Sequence, residues 1–147
     1  MSLPEWARNG WLTKHKTSAQ EIAALLGLSD RDLKSCQAAG LSADWQLGIA
    51  YNAALQAATA ALAASGYRAS REAHHYRVIQ SLTFTVGVDK DTIAYLDQFR
   101  KKRNISDYER AGTVSDQEAK EMIALARRLR KKVEEWLHAK YPKLLNK

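Results

Sequence analysis

Residues 43–65, ADWQLGIAYNAALQAATAALAAS, decide how the rest of the chain folds. Leu47, Tyr51, Leu55, Ala58 and Leu62 recur at spacings of three and four, which places them on one face of an α-helix. Alanine fills most of the other positions, so neighbouring helices can approach closely on more than one side. The spacing predicts a long central helix over about 43–65. Its most apolar part, Ile49 to Ala64, is interrupted by Asn52, Gln56 and Thr59. It therefore reads as a core helix that falls short of a membrane span, and no membrane partner is expected.

Working outward, the two prolines, Pro4 and Pro142, lie near the ends, and everything between them is free of the strongest helix breaker. Gly27, Gly40, Gly66, Gly87 and Gly112 fall where helical patterns stop. Ser18 with Glu21 and Ser115 with Glu118 form Ser-x-x-Glu boxes that mark helix starts, and Ser29 and Ser42 suit caps of two more. These marks predict short helices at about 18–26 and 30–39, and long ones at about 43–65, 71–85, 89–109 and 116–140. In the last, Met122, Ala126, Leu129, Val133 and Trp136 keep the helical rhythm. No stretch alternates convincingly as a strand; residues 82–86 are β-prone but sit at a helix end. The expected fold is all-α: a four-helix bundle over 43–140 preceded by a short N-terminal helical extension over 1–40, in one domain of 147 residues.

Net charge is +7, from 23 basic and 16 acidic side chains, which favours an anionic partner, nucleic acid first. A single cysteine, Cys36, excludes an internal disulfide and gives no metal-ligand cluster. It suits a reducing compartment, with the cytoplasm the simplest address, and the first ten residues lack the basic start and apolar run of a signal peptide. His74 and His75 are adjacent, so on a helix they point about 100° apart and chelate one metal poorly. Neither a metal nor a cofactor is expected. His75 falls in line with Ile79 and Leu82 as a hydrogen-bonded core residue, whereas His74 faces a polar cleft or Arg71.

The most basic segment is FRKKRNISDYER, residues 99–110. Ile93, Leu96 and Phe99 form an apolar stripe whose next position is Arg103, at the edge of the core. Arg100, Asn104 and Tyr108 follow at steps of four on one side of the same helix. Guanidinium grips phosphate through paired, charge-assisted bonds, and an aromatic ring offers a stacking face to an unpaired base. Lys101 and Lys102 add unspecific attraction. A purely structural account of the same residues pairs Arg103 with Asp107 and packs Tyr108 where the helix ends, and spacing leaves both accounts open. The run EIAALLGLS, residues 21–29, also reads as the opening of a helix-turn-helix, but Asp30 and Asp32 would then meet DNA phosphates, so a helical cap on the bundle is preferred.

Residues 45–82, with IAYNAAL at 49–55, SGYR at 65–68 and the pair His74-His75, together with the Arg-Asn signature helix over 100–108, resemble the HEPN family of small helical domains. About two-thirds of the chain is covered. The resemblance implies a homodimer whose two signature helices meet in one cleft. It also implies a metal-independent ribonuclease of toxin-antitoxin or defence type, with a cognate protein partner or antitoxin and RNA or a nucleotide as ligand. By resemblance, Arg103 contacts the scissile phosphate, Asn104 orders the site, and Tyr108 stands where the family has histidine. A phenol of ordinary pKa about 10 is a poor general base at neutral pH, so binding or weakened cleavage is expected rather than full ribonuclease activity. The alternative is a non-catalytic adaptor bundle that binds a protein partner.

Overall fold

The protein is built around one alanine-rich helix, and the computed structural model describes residues 1–103 and 114–145. Among these, six α-helices occur: α1 Leu3–Arg8, α2 Ala19–Ser35, α3 Ala43–Ala64, α4 His74–Ser81, α5 Lys90–Arg103 and α6 Asp116–Lys140. Two short strands, β1 Leu12–Lys14 and β2 Tyr67–Ala69, and a 3-10 turn at Pro142–Leu144 complete the order. The fold is an all-α helical bundle.

Helix α3 is apolar nearly all round, and Leu47, Ala50, Tyr51, Ala54, Ala58 and Leu62 are buried. Its length and apolar character would suit a membrane span, contrary to the expectation above, yet 67% of its most apolar stretch is buried inside the protein. Small side chains let α6 and α2 lie along it, and α4 and α5 also pack on it. Ser42 caps no backbone N–H; its hydroxyl donates to Asp44 Oδ1 at 2.6 Å.

Helix α2 corrects the expected pair of short helices, because it runs unbroken through Gly27. A mid-helix glycine costs about 1 kcal/mol relative to alanine. Tertiary contacts offset that cost: Ile22, Leu26, Ser29 and Asp32 form a buried stripe, and Ser29 Oγ donates to the Ala53 carbonyl at 2.7 Å. Ser29 is thus a bond between α2 and α3 rather than a cap, and no turn exists for a helix-turn-helix. Residues 1–40, read as an extension, are helical over most of their length, and their α2 is packed on α3.

The helix expected over 71–85 is only His74–Ser81. Ala73 has a left-handed backbone, φ 54°, which an L-residue cannot carry into a helix, and residues 67–69 are already paired with β1. The register is Leu12↔Ala69, Thr13↔Arg68 and Lys14↔Tyr67. Residues 82–86 form turns that lead to Gly87 at φ 80°. Next to the ribbon, the buried Trp6 meets Trp11 and Phe84 edge to face at 5.7 and 5.2 Å, and the Arg77 guanidinium lies 3.8 Å over the Trp11 ring.

Helix α6 begins with both halves of the expected capping box, Ser115 and Glu118 each satisfying the other's backbone N–H. Met122, Ala126, Leu129 and Val133 are buried as read; Trp136 is only partly so. Arg130 ties α6 to α2 through Asp30 at 2.9 Å and to its own Glu134 at 2.6 Å. In α5, Ile93, Leu96 and Phe99 are buried and Asp89 accepts from the Thr92 N–H at 3.1 Å.

Candidate functional site

The buried stripe of α5 turns Asp97, Arg100 and Arg103 toward α3 and α4. Arg103 Nη2 donates to Asn52 Oδ1 at 3.2 Å, and its guanidinium carbon lies 5.5 Å from the centre of the Tyr51 ring. Arg103 therefore sits at the edge of the core. It is anchored across the bundle by two consecutive residues of α3, a cation over an aromatic face with one amide contact.

One turn earlier, Arg100 Nε donates to Asp97 Oδ1 at 2.6 Å, and the Arg100 guanidinium carbon is 5.4 Å from the Tyr76 ring centre. Helix α4 also brings His75, whose ring centre is 6.0 Å from that of Tyr51. His74, more exposed, contacts His75 at 6.0 Å and lines a separate cavity of about 220 Å3 with His15, Glu21 and Leu62. The site thus gathers two guanidinium groups, two phenol rings, an amide and an imidazole from three helices.

The segment 100–103 divides between two sides of α5. Arg100 and Arg103 face α3 and α4, whereas Lys101 is exposed, 3.6 Å from Asp97, and Lys102 pairs with Glu118 of α6. Successive residues are rotated by about 100°, so a run of four cations cannot share one face. Asn104 and Tyr108, together with Asp107 and Gly112, lie outside the described residues.

Electrostatics single out two groups. Burial pushes the Tyr51 phenol up to about 12, against the pull of the Arg103 and Arg100 charges. Its hydroxyl is buried with no hydrogen-bond partner among the described residues. Burial first, then the charges of Arg103, His74 and Arg100, pull the His75 imidazole below its ordinary value, so it is uncharged at neutral pH. The uncharged ring can accept a hydrogen bond, and guanidinium groups as a class hold anions.

Sequence reasoning placed Arg103 at the core edge but missed the site roles of Tyr51, Asn52 and Tyr76. The available signal was a Tyr-Asn pair set in an alanine-rich helix. Among the described residues no group of three or more His, Cys, Asp or Glu side chains is placed to hold a metal ion. No family model matches this chain, and neither a curated protein nor a solved structure does.

Proposed function

We propose that this chain is a HEPN-like protein that binds RNA or a nucleotide through the site around Arg103, as a homodimer of toxin-antitoxin or defence type, with weak metal-independent cleavage at most. The observation that carries the reading is the anchoring of Arg103 by Asn52 and the Tyr51 ring, with Arg100 held against Tyr76 beside it. Guanidinium groups fixed against aromatic rings suit a phosphate followed by an unpaired base. We assign His75, whose imidazole is held toward its uncharged form, the proton-acceptor role that a Tyr at 108 fills poorly.

The test incubates purified protein with a mixed pool of labelled RNAs, with chelator present, and compares wild type with Arg103→Ala for retention and for cutting. Loss of retention in the variant is expected, with the salt dependence of binding reduced by about one phosphate contact. Cutting that disappears with Arg103 makes the protein a ribonuclease. Equal RNA affinity of the two proteins sinks the proposal, and a protein partner that stays bound through nuclease treatment and high salt then favours the adaptor.

A further inference from the structure

Lys101 and Lys102 border a second concavity on the other side of α5. Helix α5 packs on α3 and α4, and α6 packs on α3 and α2. Between α5 and the start of α6 a cleft of about 520 Å3 remains, open to solvent and lined by Tyr95, Gln98 and Phe99 of α5 and by Glu118 and Glu121 of α6 as well as the two lysines. That volume is in the range of small-molecule sites.

The chemistry of the lining is specific. Tyr95 is half-buried and lies 4.6 Å from Phe99, whose ring, 3% exposed, backs it from the core. Burial first, then the nearby carboxylates of Glu121 and Glu118, push the Tyr95 phenol up from its ordinary value. The tilted contact with Phe99 sets the orientation of the Tyr95 ring. Glu118 accepts from Lys102 and from the Ser115 N–H. A carboxylate has about four lone-pair sites, so Glu118 keeps acceptor capacity beyond these two bonds, and Glu121 adds a second carboxylate to the lining. Lys101, with 70% of its side chain exposed, stands at the rim.

We propose that this cleft is a subsite for one unpaired nucleobase carrying an exocyclic amine, stacked on Tyr95, with the amine donating to Glu121 or Glu118 and the adjoining phosphate met by Lys101. It rests on the RNA reading above and adds to it a base preference. Unpaired bases are recognised by stacking on aromatic rings and hydrogen bonding at their edges, and glutamate accepts from amino groups such as that of cytosine. Cytosine and adenine present that amine; uracil presents a carbonyl oxygen in its place, which the carboxylates repel.

The test measures binding of short labelled oligocytidylate, oligoadenylate and oligouridylate to the full chain by fluorescence anisotropy, for wild type, Tyr95→Ala, Tyr95→Phe, Glu121→Ala and Arg103→Ala. Wild type is expected to bind the cytidylate and adenylate strands more tightly than the uridylate strand. Tyr95→Ala should weaken binding by about tenfold, within the usual contribution of one stacked base, whereas Tyr95→Phe keeps the ring and most of the affinity. Glu121→Ala should narrow the gap between cytidylate and uridylate. If Arg103→Ala abolishes binding while Tyr95→Ala and Glu121→Ala leave affinity and preference unchanged, the subsite is wrong and the RNA reading stands. If wild type binds none of the three strands, both fall. The Tyr95→Phe protein, which preserves the packing of the ring, separates loss of stacking from loss of fold.

Discussion

Tyr51→Phe should make this protein more stable, and by an amount that grows with pH. The Tyr51 side chain is 1% exposed and its hydroxyl has no partner among the described residues. A buried hydroxyl left unpaired costs about 1–3 kcal/mol. Phenylalanine removes that cost, keeps the ring beneath the Arg103 guanidinium and deletes one atom, so a gain of about 1 kcal/mol is expected at pH 8, the low end of that range. For a chain of this size that raises Tm by about 3 °C. The pH term has a definite sign. The folded phenol titrates at about 12, above its ordinary 10.0, so the unfolded chain releases the proton first and wild-type stability falls as pH rises from 10 toward 12. At pH 11 the wild type has lost about 1.4 kcal/mol through this group, one pKa unit's worth, and the variant has lost none of it. The difference between the two proteins should therefore widen from about 1 to about 2.4 kcal/mol. Urea unfolding followed by tryptophan fluorescence at pH 8 and pH 11 measures it, with the buried Trp6 as a reporter. A variant less stable than wild type at pH 8, or a difference that does not widen at pH 11, would refute the unpartnered phenol.

Ser29→Ala should destabilise by about 1–2 kcal/mol, because it leaves the buried Ala53 carbonyl without the Ser29 hydroxyl; a neutral result in the same urea assay would show that the α2–α3 bond contributes nothing. Ala73→Gly should stabilise by about 1 kcal/mol, since glycine adopts the left-handed φ of 54° without the Cβ clash; a lower Tm would mean that the entropy of the unfolded glycine outweighs the relieved strain.

Elements whose stability comes from a long apolar period were legible in the sequence. Helix α6, with its Ser115 box and its Met122-to-Val133 stripe, lies where the pattern places it, and so does the body of α3. Local signals failed where distant contacts outweighed them. Gly27 reads as a stop, yet α2 passes through it because Ser29 and its buried neighbours bind α3. Strands of three residues are too short to show alternation, so the pairing of Leu12–Lys14 with Tyr67–Ala69 left no readable trace. The same limit applied to the site. The apolar stripe of α5 pointed to Arg103 at the core edge, but its partner Asn52 is 51 residues away, a separation that no local period bridges.

That ribbon also predicts an order of events in folding. It joins segments about 55 residues apart, and the loop it closes contains α2 and α3. Closing so long a loop is entropically costly, and three residue pairs return little, so the strands gain their contacts cheaply only after the two enclosed helices have packed and brought their ends together. The ribbon is then a latch set late in folding. Substitutions within it should speed unfolding while leaving the folding rate nearly unchanged.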